Sequence, residues 1–147
     1  MAPSPFSIDV RVQFADTDAA GIVWFGSYLR FFEQAEDALF RALGQPREQM
    51  MAQHGVLLPR VEARIVYRAP LRAGDLLGVS VDVEILNPRR LAFTFVVRAP
   101  SGEVAAEGSY RVACVSTADF AACDFPSTVL ALLARASVTG PGHSHRP

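Results

Sequence analysis

Apolar residues recur at Tyr28, Phe31, Phe32, Ala35, Ala38, Leu39, Ala42 and Leu43, with Arg30, Glu33, Gln34, Asp37 and Arg41 between them. This is unbroken helical spacing with one wide apolar arc, and it predicts a long amphipathic helix. Gly44 and Pro46 stop it, and Ser27 is the expected N-cap. Ahead of it, Phe6, Ile8, Val10, Val12 and Phe14 alternate with Ser7, Asp9, Arg11 and Gln13. That period of two predicts a half-buried strand running to about Ala15. Arg47 to Gln53 reads as a short helix closed by His54 and Gly55. Beyond it the pattern turns to strands. One long strand covers 56–70, interrupted at Pro59, with Val61, Ala63, Ile65 and Tyr67 on one face. Val79, Val81, Val83 and Ile85 mark the next, and Leu91, Phe93, Phe95 and Val97 another. Pro100-Ser101-Gly102 signals a hairpin into a last strand from Val104 to Val115, with Gly108 at a bulge or a close approach. Phe125-Pro126-Ser127 opens a short apolar helix through Ala136, and 138–147 is a polar tail expected to be frayed.

Strand, helix, then four strands predicts an α+β architecture over residues 1–137, one long helix against a mainly antiparallel five-stranded sheet. The helix is apolar over so wide an arc that the sheet must curl around it. The sheet's other face and its edges then need cover, which points to a homodimer or larger assembly.

Length and composition narrow the picture. At 147 residues, half of them hydrophobic, the chain is long enough for one globular core and has no apolar run that could span a bilayer. The N-terminal MAPSPFSIDV lacks a basic region followed by an apolar one, so a cytoplasmic location is expected. A net charge of −1 gives no reason to expect nucleic acid or a membrane surface as partner. Cys114 and Cys123 match no metal or redox spacing, and Cys114 sits in a strand pattern as a small hydrophobe.

The candidate chemistry lies between the first strand and the long helix. Asp16 and Asp18 are compatible with turn formation and with the positive end of the helix dipole. Their surroundings support a second reading. Ala19, Ala20 and Gly21 let a ligand approach the backbone, and Ile22, Val23, Trp24 and Phe25 could wall off water. A carboxylate beside free helix-terminal N–H groups is a workable hydrolytic pair: the acid attacks or activates water, and the N–H groups hold the oxyanion.

The stretch QFADTDAAGIVWFGSYLRFFE resembles the signature of the 4-hydroxybenzoyl-CoA thioesterase family, a branch of the hotdog-fold acyl-CoA thioesterases, and YRAPLRAGD is similar to a later family segment. The resemblance implies the hotdog fold and a thioester hydrolase that needs no cofactor or metal. It places Asp18 as nucleophile or general base and the Phe25 backbone N–H as the donor that polarises the thioester carbonyl. It makes Asp16 a turn acid. Many relatives carry His or Tyr at the position of Phe25. Gly21, Trp24 and Tyr28 fall in the implied substrate pocket, and Arg89 with Arg90 in a basic run that binds CoA phosphates; read without the resemblance, the two arginines are a solvated loop. The implied site lies in a cleft between subunits. Glu33 is read as a structural surface charge, with reach into a neighbouring subunit's active site as the alternative, His54 as a cap or a solvated residue, and His143 and His145 as tail residues without a third metal ligand. Arg60, Arg64 and Arg68 alternate along one strand and suit either a polar face or an interface.

Trp24, Phe25 and the Ala19-Ala20 pair suggest a compact aromatic pocket, favouring benzoyl- or 4-hydroxybenzoyl-CoA over aliphatic chains of short or medium length. A non-catalytic acyl-CoA-binding module is the alternative from another class, and Asp18 argues against it. A hydratase ranks last because no His lies near Asp18.

Overall fold

A computed structural model describes residues 5–137. The elements follow in the order β1 (Phe6–Arg11), α1 (Ser27–Ala42), α2 (Arg47–His54), β2 (Val56–Leu57), β3 (Arg60–Tyr67), β4 (Leu76–Asn87), β5 (Arg90–Arg98), β6 (Val104–Ala113), β7 (Val115–Ser116) and α3 (Ser127–Ala136). Five strands form one antiparallel sheet in the order β1-β4-β5-β6-β3, and β2 and β7 pair separately. The sheet curls around α1, whose Tyr28, Phe31, Phe32, Ala35, Leu39 and Phe40 are buried against the inward residues Leu77, Val79, Val81 and Val83 of β4 and Leu91, Phe93, Phe95 and Val97 of β5. These are the alternating sets that the strand patterns mark. Val129 and Leu133 of α3 join the same core. The expected tail, 138–147, lies outside the described residues.

Several boundaries differ from the sequence expectation, each for a local reason. The first strand stops at Arg11. Gln13 caps a 3-10 turn over Phe14–Asp16, with the Asp16 carboxylate accepting the Gln13 N–H at 2.8 Å. Phe14 is thereby swung outward and is 87% exposed. The strand expected over 56–70 is two strands in two sheets, because β2 pairs with β7 while β3 pairs with β6, and β3 ends at Tyr67, short of Pro70. The last long strand likewise ends at Ala113, and the Cys114 N–H turns to Arg89 O at 3.1 Å. Of the apolar residues of β3, Ile65 packs against the core, while the others stay exposed. Val61 and Tyr67 are exposed and Ile65 is half-buried, since β3 is an edge strand with β6 as its one neighbour.

Gly108 is a close approach, as its place in a strand suggests. A Cβ there would stand 2.4 Å from the Phe32 ring and 2.8 Å from Arg64 O. Phe32 lies flat over this spot, stacked on Phe95 with ring centroids 4.5 Å apart. The missing side chain lets the helix sit down on the sheet.

The pattern gave no warning of Glu36. It sits on the buried arc of α1 with no exposed surface. Its charge is met by Arg60 of β3, at 2.7 and 3.2 Å, and by Arg47 of α2 at 3.4 Å, and it accepts a hydrogen bond from the Tyr110 hydroxyl of β6. The Arg60 guanidinium also lies over the Tyr110 ring, 4.7 Å from its centroid. Burial, and then the neighbouring carboxylate, push the Tyr110 phenol well above its ordinary pKa, so it stays a donor. One carboxylate therefore ties α1, α2, β3 and β6 together. Glu36→Ala leaves Arg47 and Arg60 without their anion. The expected loss in urea unfolding is about 3 kcal/mol, the low end for breaking a buried pair, because Arg60 is partly exposed and can turn to water. A loss below about 1 kcal/mol would contradict this role.

Candidate active site

Residues 12–26 cross from the sheet to the head of α1, and Asp16 organises them. It is buried, and among the described residues its hydrogen bonds stay within this turn and helix. Its side chain takes the Gln13 N–H and pairs with Arg30, one turn into α1. Its backbone carbonyl accepts the Trp24 N–H at 2.8 Å and the Ser27 hydroxyl at 2.9 Å. Ser27 is thus the first helical residue and not the N-cap; that place belongs to Gly26. The Trp24 ring lies over Gly26, where a Cβ would stand 2.2 Å from it, so any side chain there would have to push the half-exposed ring aside.

Asp18 follows in a tight loop. Its Oδ1 accepts the Ala20 N–H at 2.8 Å, and its carbonyl accepts the Gly21 N–H at 2.9 Å. Gly21 has φ of +79°, a conformation that L side chains rarely adopt, so the small residue serves the turn itself. The Asp18 side chain is exposed, and its second oxygen has no recorded partner among the described residues.

A cleft of about 380 Å³ brings Asp18 together with Ile22, Val23, Phe25, Tyr28, Tyr67, Arg68, Ala69 and Pro70. Its walls come from the turn, the head of α1 and the end of β3. The Tyr67 hydroxyl donates to Phe25 O at 2.7 Å, which fixes the Phe25 backbone against the sheet edge. The Phe25 N–H has no acceptor among the described residues. Tyr28 and Tyr67 meet edge to face at 5.1 Å. Burial raises the Tyr28 phenol pKa, with Tyr67 adding to it, so both hydroxyls remain protonated near neutrality. Arg68 is held by Glu107 at 2.8 and 3.1 Å.

The other residues singled out by sequence lie elsewhere. Trp24 lines a different cleft, with Asp16, Gly26, Ser27 and Arg30, and Gly21 lines neither. Arg89 and Arg90 border a third, of about 450 Å³, with Pro59, Val61, Cys114 and Phe120. Arg89 there pairs with Asp124 at 2.9 Å. Glu33 is exposed beside Arg47, and His54 ends α2 ahead of Gly55. Among the described residues no group of three His, Cys, Asp or Glu could hold a metal ion, and no helix is long and apolar enough to cross a membrane. Sequence reasoning put Tyr67 on a strand face and Arg68 on a polar or interface face without assigning either to the cleft, and it missed Glu36. Tyr67 and Arg68 stand in the YRAPLRAGD segment, which carried a signal, but nothing in it reported which cleft they face.

The chain is 36% identical over 104 residues to a 1,4-dihydroxy-2-naphthoyl-CoA hydrolase of Thermosynechococcus vestitus, covering 70% of this chain and 71% of that one. It is 27% identical over 126 residues to an acyl-CoA thioester hydrolase of Escherichia coli, covering 86% and 93%. The solved structure of a gentisyl-coenzyme A thioesterase superposes with a TM-score of 0.76 at 28% identity, covering 86% of this chain and 98% of that one. Residues 12–133 match the thioesterase-like superfamily, and this chain, with its helix wrapped in a five-stranded antiparallel sheet, belongs to that superfamily and has its hotdog fold.

Proposed function

We propose that this chain is an acyl-CoA thioesterase that works at the cleft where Asp18 faces the head of α1. The observation that carries the reading is the pairing, in one cleft, of an exposed carboxylate with a backbone N–H that has no acceptor among the described residues. The thioester carbonyl binds with its oxygen on the Phe25 N–H. Negative charge grows on that oxygen in the transition state, where a preorganised donor and the helix dipole stabilise it. Asp18 either attacks the carbonyl carbon, releasing the CoA thiolate and leaving a mixed anhydride that water hydrolyses, or takes a proton from the water that attacks. No step requires a metal or a dissociable cofactor.

An aryl acyl group, of the benzoyl or hydroxybenzoyl kind, suits the Phe25, Tyr28 and Tyr67 rings that line the cleft. The relatives that act on 1,4-dihydroxy-2-naphthoyl-CoA and gentisyl-CoA support an aryl preference. Trp24 has no part in this pocket.

The arginine cleft and the Asp18 cleft are separate on one chain, yet each touches an end of β3. Pro59 and Val61 line the first, Tyr67 and Arg68 the second. Two β3 edges related by a twofold axis pair antiparallel, which sets the Tyr67 end of one beside the Arg60 end of the other. A homodimer closed in this way puts Arg89 and Arg90 of one copy near the Asp18 cleft of its mate, where they can take the CoA phosphates. It also covers the exposed Val61 and Val66.

The direct test is free-thiol release from a panel of acyl-CoAs, with Asp18→Asn beside the wild type. Turnover is expected to peak on aryl-CoA and to fall about 10²- to 10⁴-fold in kcat in the variant, with KM little changed. Near-full turnover in Asp18→Asn would overturn the assignment. A peak on short or medium aliphatic chains would retain the mechanism and remove the aryl preference. Binding without thiol release from any substrate would make the chain a binding module. A second expectation concerns the shared site. Arg89→Ala combined with Arg90→Ala should raise KM by about tenfold or more, the worth of charge-assisted phosphate contacts. Refolding that variant together with Asp18→Asn should restore low-KM turnover, since one site of each mixed dimer is then intact. Mixtures no better than the sum of their parts would place all the groups on one chain.

A further inference from the structure

Cys114 and Cys123 are both free thiols, and their sulfurs stand 3.7 Å apart. Their backbones are in register across a short antiparallel contact. Val115 bridges Ala122, and the Cys123 N–H donates to Cys114 O at 3.0 Å. Directly opposed residues in such a pair have Cα atoms about 4.5–5.5 Å apart, inside the roughly 4.4–6.8 Å range of disulfides. Closing the sulfurs to a bond of about 2.05 Å therefore asks for side-chain rotation and no rearrangement of the chain.

What surrounds the pair gives it a consequence. The turn from Asn87 to Arg90 carries the two arginines, and the segment holding the cysteines grips that turn three times. The Cys114 N–H donates to Arg89 O at 3.1 Å, and the Phe125 N–H donates to Pro88 O at 2.8 Å. Asp124 takes the Arg89 guanidinium at 2.9 Å. Cys114 leads the first grip, and Cys123 immediately precedes the other two.

We propose that Cys114 and Cys123 form a reversible dithiol–disulfide site, and that closing the bond locks the turn carrying Arg89 and Arg90. The oxidant is a low-molecular-weight disulfide, RSSR. Cys123 is half-buried and meets it first: its thiolate attacks one sulfur, forming a Cys123–S–S–R bond and releasing RS⁻. Cys114 has no exposed surface, and burial, with Cys123 adding to it, pushes its thiol pKa up to about 12. It reacts through proximity, attacking the Cys123 sulfur to form the internal bond and expel the second RS⁻. Two protein thiols are oxidised, one external disulfide is reduced, and the two protons go to the released thiolates. Reduction by excess thiol reverses the sequence. That the locked turn is a CoA contact rests on the function proposed above, whereas the bond and the lock do not.

The test uses oxidised glutathione on the full chain, read by intact mass. The wild type should lose about 2 Da without retaining an adduct, and recover under excess dithiothreitol. Cys114→Ser should stop at one glutathione adduct, a gain of about 305 Da on Cys123, because the second step is removed. A wild type that keeps an adduct, or stays at its reduced mass, would overturn the site. Amide hydrogen exchange then reads the lock, comparing the reduced and oxidised wild type. Peptides spanning 87–90 and 114–125 should exchange at least about threefold more slowly in the oxidised form. Equal exchange would overturn the lock. Neither readout uses turnover, so failure of the thioesterase reading would show separately, as absence of thiol release.

Discussion

A helix swallowed on its inner arc by a sheet can hold a charge there only if that charge is fully paired. Helix α1 meets this constraint at Glu36, whose carboxylate is shared among Arg47, Arg60 and Tyr110. The pairing fixes more than the helix. It sets the height of β3 against α1, and β3 brings Tyr67 to the Phe25 carbonyl at the helix head. Gly108 allows the same closeness on the neighbouring strand, where Phe32 fills the space a side chain would take. The position of the Phe25 backbone is thus decided by contacts spread along α1 and the sheet beneath it.

The two acids of the turn divide the work between them. Asp16 is buried and spends its oxygens on Gln13, Arg30, Trp24 and Ser27, so it is the strut that holds the turn on the helix. Asp18 has one oxygen on the Ala20 N–H and the rest of its carboxylate open to the cleft. A strut cannot easily be a catalyst, because moving its charge would release the loop. This is the physical reason that Asp18 is proposed for the chemistry while Asp16 holds the turn.

Much of this is legible in the sequence. The helical spacing from Tyr28, the alternation through 79–97 and the glycine at 108 are each forced by burial on one face, and each appears where the pattern puts it. The features that escaped depend on distant partners. Glu36 looks like any surface acid until Arg60 and Tyr110, far along the chain, arrive beside it. Val61, Ala63 and Tyr67 alternate as a core-facing strand would, but their strand lies at the edge of the sheet, so the pattern marks a face without saying what covers it. Trp24 reads as a pocket wall by sequence proximity to Asp18. Its backbone bond to Asp16 and the space over Gly26 turn the ring into another cleft. The first strand overruns its true end on paper because alternation continues to Phe14, while a local cap at Gln13 outweighs one more step of the ladder.

The proposed mechanism places the acyl carbonyl between the Asp18 carboxylate and the Phe25 N–H. A crystal structure of the wild type with an inert aryl-CoA analogue, in which a methylene separates sulfur from the carbonyl, tests this most directly. The carbonyl oxygen is expected about 2.7–3.1 Å from the Phe25 nitrogen, with the Asp18 carboxylate on the carbonyl carbon's open face. A carbonyl bound in the Trp24 cleft, or beyond hydrogen-bond reach of Phe25, would contradict it.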